Sequence, residues 1–312
     1  MNIPILIVHR GNTFYLNLVL KQLRLFNPDS RICLISDEST KLYDFVEHCD
    51  IDQYSDGLRR FGQVYKHMSS NPYNYELFCF QRWFVIDDFV RINNIQDFLC
   101  LDSDVLFYNN VDDIFSKYIG CDFTICNKLG PGCSLFNARS LKSFCDYMML
   151  MYTSRSYLAR MNDIYRSIQE KKHLGGICDM TAFLWYQENV DCDVVDVAIP
   201  ADGTCLDGCI TWSADFEMED GKKKVYWIDN LPYGKLMNDQ SLVRFYCLHF
   251  QGRSKYSMYK YIVDEHKVHH SGFWYNLKWS LSKEILGARL KGIKKAIHNP
   301  QMIVNFVKAK LE

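Results

Sequence analysis

Phe98-Leu-Cys-Leu-Asp102-Ser-Asp104-Val-Leu-Phe107 is the stretch that organises this chain. Its first four residues predict a buried strand, two carboxylates stand at the strand's end, and three more apolar residues close the run. Carboxylates two positions apart in extended chain point to one side. Charges set between apolar runs need compensation, and a divalent cation supplies it. Hard oxygen donors suit Mn²⁺ or Mg²⁺ and leave coordination positions open to phosphate oxygens. Asp102 and Asp104 are therefore candidate metal ligands; an Asp-x-Asp triplet arising by chance is the competing reading.

Upstream, short apolar runs alternate with helical patterns. Ile3–Val8 predicts a buried strand, and Arg10-Gly11-Asn12 turns into a helix reaching Phe26. Phe14, Leu18 and Leu25 share one stripe of that helix, widened by Leu16, Leu20 and Leu23. Asn27-Pro28-Asp29-Ser30 ends it. Arg31–Ser36 is a second strand, Ile51–Tyr54 a short third one, and Phe78–Asn93 a helix. This alternation predicts an α/β fold with a mostly parallel sheet covered on both faces. Ligands of such sheets bind beyond the carboxyl ends of the strands, where both His9-Arg10 and Asp102-Ser103-Asp104 fall.

The second half is less regular. Phe123–Cys126 and Cys133–Asn137 read as strands around Gly130-Pro131-Gly132, and a helical stretch covers Leu141–Ile168. Gly175-Gly176 opens a further helix, Met180–Tyr186, and Asp202-Gly203, Asp207-Gly208 and Asp220-Gly221 are expected turns. Tyr246–Phe250 is a last strand carrying His249, followed by Gln251-Gly252-Arg-Ser-Lys255. The imidazole can ligate a metal, the glycine lets backbone approach a ligand, and the lysine sets an ammonium near phosphate. A lone histidine here would more often be a satisfied core residue; the glycine, the lysine and the upstream triplet favour a ligand.

The totals narrow the function classes. The 312 residues are 48% hydrophobic and 15% aromatic, the composition of a folded chain with a sizeable core. A formal charge of −1 gives no general pull toward nucleic acid. Thirteen cysteines include no CxxC pair, and several lie in apolar runs as small buried hydrophobes, which predicts a reducing cytoplasm. Ile3–Val8 is too short for a signal-peptide core, and no run is long enough to span a membrane. From Lys283 to Glu312 seven basic residues face two acidic ones, so the segment carries about +5 against about −6 elsewhere. Leu286, Leu290, Ile293 and Ile297 give it one apolar helical face, which either lies on an anionic leaflet or packs back on the domain.

The triplet together with His249-Phe-Gln-Gly252-Arg-Ser-Lys255 resembles the GT-A glycosyltransferases, in particular the family of glycogenin and the bacterial lipopolysaccharide galactosyl- and glucosyltransferases. That resemblance implies a Rossmann-like GT-A fold with a mixed central sheet, ending here in a basic helical tail. It implies metal ligation by Asp102, Asp104 and His249, and diphosphate contacts from Gly252 and Lys255. Where the family continues Lys-Pro-Trp, this chain has Lys255-Tyr256-Ser257. Through the same likeness Arg82 would contact the donor's sugar or phosphates, and His9, Arg10, Asp37 and Ser103 would surround the nucleotide. Asp179 would position the transferred sugar or its acceptor.

Each assignment has a plainer rival: a surface helix charge for Arg82, helix capping for Asp37, and an N-cap for Asp179. Asp239 competes with Asp179, Asn137 is a candidate near the acceptor, and Trp185, Trp212 and Trp227 are candidate sugar platforms, at least two of them expected to be packing. The resulting expectation is a metal-dependent transfer from a nucleotide-sugar, a UDP-hexose by resemblance, to a glycan or lipid-linked acceptor with retention at the anomeric carbon. Residues 1–110 would form the nucleotide half, 111–260 the acceptor half and 261–312 the basic extension. Inversion with Asp179 as base, nucleotidyl transfer, metal-dependent phosphate hydrolysis and sugar-nucleotide binding without catalysis are the alternatives. The expected location is the cytoplasm, extending to its membrane face if the tail binds lipid.

Overall fold

A computed structural model describes residues 2–11, 13–37, 43–127, 130 and 132–263. The chain opens with β1 (Ile5–His9), α1 (Phe14–Phe26), β2 (Ile32–Ser36) and β3 (Glu47–Asp50). There follow α2 (Asp56–Val64), α3 (Tyr73–Ile92), β4 (Asp97–Leu101), β5 (Val105–Phe107), α4 (Val111–Phe115), β6 (Phe123–Ile125) and β7 (Cys133–Asn137). Next come α5 (Ala138–Thr153), α6 (Arg155–Glu170), α7 (Asp179–Asn189), β8 (Val194–Asp196) and β9 (Thr204–Cys205). The strands β10 (Met218–Glu219), β11 (Lys222–Lys223), β12 (Tyr226–Ile228), β13 (Leu231–Lys235), β14 (Leu242–Phe245) and β15 (Cys247–His249) complete the order.

Seven strands form the central sheet in the order β3-β2-β1-β4-β7-β6-β8. The β3-β2-β1-β4 half is parallel, while β7 runs antiparallel to both β4 and β6. The expected mixed α/β sheet is thus observed. Parallel strands covered on both faces have apolar side chains at nearly every position. Ile5, Leu6 and Ile7 in β1 and all of β2 are accordingly buried. Alternation sends Leu6, Cys33, Phe98 and Phe136 toward the helices α2, α3, α5 and α7, and Ile5, Ile7, Leu34 and Leu99 toward α1. Helix α1 buries Leu16, Val19, Leu20 and Leu23, while Phe14 and Leu25 of the expected stripe are only half-buried. A smaller sheet, β12-β13-β14-β9, packs with β15 on a third apolar cluster around Phe245 and Leu248.

Three local expectations are corrected. Ile51–Tyr54 is a 3₁₀ turn rather than a strand: the Asp50 carboxylate accepts the Asp52 N–H at 3.0 Å and turns the chain as β3 ends. The stretch 141–168 is two helices, split by extended backbone at Ser154 (φ −79°, ψ 131°). Asp207-Gly208 is not a reverse turn; it runs beside β15, with Asp207 fully enclosed. Asp202-Gly203 and Asp220-Gly221 do turn, both residues of each pair having positive φ. The basic tail from Lys283 onward lies outside the described residues.

The Gly175-Gly176 pair brings backbone close to backbone. Gly176 bridges Ser69, Ile177 N–H donates to the Met68 carbonyl at 2.8 Å, and a Cβ on Gly176 would stand 2.2 Å from that carbonyl oxygen. Gly176→Ala should therefore lower the unfolding free energy by about 1–3 kcal/mol through overpacking. Denaturant unfolding measures this, and a wild-type midpoint would contradict the contact.

Candidate active site

The carboxyl end of β4 delivers Asp102 and Asp104, as the sequence order requires. Asp102 N–H donates to the Gly132 carbonyl at 2.8 Å, and the chain re-enters β5 after one turn. β5 pairs antiparallel with β15, placing His249 opposite Val105, and Phe250 N–H donates to the Asp104 carbonyl at 2.9 Å. This pairing brings two motifs nearly 150 residues apart in sequence into side-chain contact. His249 Nε2 lies 3.3 Å from Asp104 Oδ1 and 4.0 Å from Asp102 Oδ2. The ligand atoms of Asp102, Asp104 and His249 all fall within 4.8 Å of one another. Donors of one six-coordinate ion at roughly 2.1 Å stand about 3–4 Å apart, so this set fits a small divalent cation.

The ring geometry fits as well. His249 Nδ1 lies 2.9 Å from the Gly208 carbonyl, which can only accept, so that nitrogen donates and Nε2 faces the carboxylates. Gly132 makes room for the ring: a Cβ there would lie 2.6 Å from His249 Cε1. Two cations close the cluster. Arg82 pairs with Asp102 through Nη1 and with Asp179 Oδ2 through Nη2 at 3.0 Å, and Lys255 Nζ reaches Asp104 Oδ2 at 2.9 Å. Asp179 Oδ2 also accepts the Trp83 indole N–H at 3.1 Å, and its Oδ1 takes the Met180 N–H at 3.0 Å. Asp179 is thus inside the first turn of α7 rather than its N-cap, which is Cys178.

Electrostatics separate the carboxylates of Asp102 and Asp104. Burial would raise Asp104, but His249 and Lys255 outweigh it and hold the carboxyl well below its usual range. Burial and the like charge of Asp104 push Asp102 up despite Arg82. Burial opposes a charge on His249 too, yet Asp104 and Asp102 raise it to about 9.

Two cavities meet at these residues. One, of about 450 Å³, is lined by His9, Arg10, Ser103 and Phe78 at the carboxyl end of β1. The other, of about 420 Å³, is lined by Asp179, Met180, His249 and Gly252. Arg82, Asp102, Asp104, Lys255 and Tyr75 belong to both. His9 Nδ1 bonds Ser103 Oγ at 2.9 Å, and its Nε2 is buried without a protein partner, as is Arg82 Nε. Burial, then Lys255, lowers His9 to about 4, so its ring is neutral at pH 7. Arg10 stacks on the Phe78 ring, 4.4 Å from its centroid. Asp37 accepts the Gly11 N–H with both oxygens, at 3.2 and 3.0 Å, and so holds the loop after β1; residues 38–42, which a capping role would concern, lie outside the described residues. Gly252 adopts φ +58° with open space around its α-carbon, so backbone conformation accounts for the glycine.

Other candidates are placed elsewhere. Asn137 caps α5 through Ser140 N–H at 2.8 Å, and exposed Asp239 bonds Ser241. Trp185 is buried against Arg160 and Tyr157, and neither Trp212 nor Trp227 lines the two cavities. Tyr75 and Cys79, two turns and one turn before Arg82 on α3, carry no sequence signal beyond that helical spacing. A second ligand-like group, Cys33, Glu47 and Cys49, sits at the sheet edge. Its carboxylate is already forked by Arg31, at 2.8 Å to each oxygen, which marks a structural ion pair. None of the thirteen cysteines is in a disulfide, and most are buried.

No protein-family model matches the sequence, and no curated protein matches it. Solved structures do. The chain is similar to mouse xyloside xylosyltransferase 1, with 14% identity over 63% of this chain and 85% of that one, at a TM-score of 0.46. It is similar to the bifunctional glycosyltransferase WbbM, with 10% identity over 64% of this chain and 39% of that one, at 0.39. It is also similar to an active-site mutant of LgtC, with 12% identity over 62% of this chain and 72% of that one, at 0.37.

The raised His249 has a consequence for metal-free protein. A histidine whose pKa rises on folding, here from 6.5 to about 9, stabilises the fold fully below pH 6.5. That stabilisation, up to about 3 kcal/mol, is lost as pH climbs through 9. Chemical unfolding in chelator at pH 6 and 9.5 should show the loss in wild type and little of it in His249→Gln. Equal pH slopes in the two proteins would contradict the pairing.

Proposed function

We propose that this chain is a metal-dependent glycosyltransferase that takes a hexose from a nucleoside-diphosphate sugar, UDP-linked by resemblance, and delivers it to a glycan or lipid-linked acceptor. The observation that carries the reading is the junction of the two cavities, where Asp102, Asp104 and His249 converge beside Lys255 and Arg82. The cavity at the end of β1 takes the nucleotide, with neutral His9, Arg10 and Ser103 around it and Asp37 fixing the loop. The cavity beside α7 takes the sugar and acceptor. Residues 1–110 then serve the nucleotide and 111–260 the acceptor.

Asp102, Asp104 and His249 would hold Mn²⁺ or Mg²⁺, which would supply positive charge to the diphosphate as it leaves. The protein's own groups do the rest. Lys255 shifts its ammonium from Asp104 to the diphosphate, and the backbone at Gly252 approaches the same oxygens. Arg82 fixes Asp102 and Asp179 relative to each other, so the metal ligands and the sugar-side carboxylate move as one unit. Asp179 already accepts three hydrogen bonds, from Arg82, Trp83 and Met180, which fix its carboxylate in place as an anchor for sugar hydroxyls. That supports same-face transfer with retention, in which a leaving-phosphate oxygen receives the acceptor's proton. Inversion would require Asp179 to give up those partners.

Mn²⁺ with UDP should stabilise the protein by about 2.7 kcal/mol at a hundredfold excess over Kd, read as a rise in Tm. No response to any nucleoside diphosphate with metal would remove the donor-site reading. Because a proton on His249 competes with the cation, Mn²⁺ affinity should climb roughly tenfold per pH unit up to about 9. Asp104→Asn should keep the fold and cut transfer about 10²–10³-fold; a wild-type rate would make the triplet structural.

A further inference from the structure

Behind His249, away from both cavities, lies a second buried ion pair. Lys223 Nζ is 2.7 Å from Asp207 Oδ1, and the two side chains are 3% and 0% exposed. Removing two charges from water is costly, and a pair kept only for stability would be served as well by apolar residues of the same volume. What this pair holds is the strand that carries His249.

Asp207 Oδ2 accepts the His249 backbone N–H at 3.1 Å, and Asp207 Oδ1 accepts the Cys209 N–H at 3.2 Å. Lys223 Nζ also donates to the Cys209 carbonyl at 2.7 Å, while its own N–H donates to the Ile210 carbonyl at 2.7 Å. Ile210 N–H in turn donates to the His249 carbonyl at 2.9 Å. Residues 207–210 are therefore clamped at both ends, and the Gly208 carbonyl between the clamps meets His249 Nδ1 at 2.9 Å. Gly208 itself cannot be larger, since a Cβ would lie 2.8 Å from Asn127 Cβ.

We propose that Asp207 and Lys223 are positioning residues for His249. They fix the Gly208 carbonyl so that Nδ1 keeps its proton and Nε2 presents its lone pair between Asp102 and Asp104. The proposal rests on His249 being a metal ligand, as argued above, and adds two residues that touch neither cavity at that junction. Partners of this kind set the orientation of a ligating imidazole, and losing one costs about 10- to 100-fold in metal affinity.

The test is Mn²⁺ binding followed by the free-ion EPR signal in wild type, Lys223→Met, Lys223→Arg and the double variant Asp207→Asn/Lys223→Met. Circular dichroism reports whether each is folded. Lys223→Met should bind Mn²⁺ about 10- to 100-fold more weakly, and Lys223→Arg should recover much of the loss. The double variant leaves no lone buried charge, so it carries the test if Lys223→Met does not fold. Folded variants with wild-type affinity would overturn the proposal, whereas wild type that takes up no Mn²⁺ would remove the metal reading and this one with it. A second readout needs no variant. In Mg²⁺-loaded wild type, ¹⁵N NMR should show His249 protonated at Nδ1; a proton on Nε2 would overturn the proposal.

Discussion

The constraint on which the rest of the site depends is the burial of charge at the end of β4. Arg82 links Asp102 to Asp179, and His249 faces both Asp102 and Asp104, in a region where an uncompensated carboxylate would be costly. Arg82, Lys255 and His249 provide the compensation, each arriving on a different element. With a divalent cation bound and His249 neutral, the cluster would carry a small net positive charge, which suits the diphosphate leaving group of the proposed reaction. Without the cation, a proton on His249, favoured by Asp104 and Asp102 against the cost of burial, brings the cluster to neutrality.

Topology makes the meeting possible. The parallel half of the sheet sets the ends of β1 and β4 side by side, with His9 and Asp102 on one rim. Helix α3 crosses behind that rim and contributes Tyr75, Cys79 and Arg82 at helical spacing. The chain then leaves the central sheet, builds the small sheet, and returns as β15 against β5. That return strand brings His249 to the aspartates, the 3₁₀ helix Gly252–Lys260 that follows brings Lys255, and the segment 207–210 packs on the strand's outer edge. Asp102, Asp104 and His249 are thus brought together by ordinary strand pairing.

Much of this was legible in residues 3–36 and 98–107, where apolar runs and turn residues agree with the final elements. The Asp-x-Asp triplet and His249 could be paired on paper because their donor chemistry is unusual and their positions follow strands. Elements set by tertiary context were less legible. Ile51–Tyr54 has strand-like composition, but the Asp50 carboxylate turns the backbone there. Ser154 breaks a continuous helical pattern with no proline or glycine to announce it. Asp207-Gly208 has the composition of a turn, yet Lys223, sixteen residues on, makes it a buried anchor. Asp179 offered a capping reading that only its place in the first turn of α7 and its partner Arg82 could decide.

In a metal-dependent glycosyltransferase of this design, one ion touches both the protein and the donor diphosphate. Pulsed EPR of Mn²⁺ bound to the protein with UDP measures this directly. The account predicts ³¹P coupling from the diphosphate together with ¹⁴N coupling from one imidazole, the nitrogen signal disappearing in His249→Gln. Mn²⁺ that binds with UDP but shows no nitrogen coupling in the wild-type protein would contradict it.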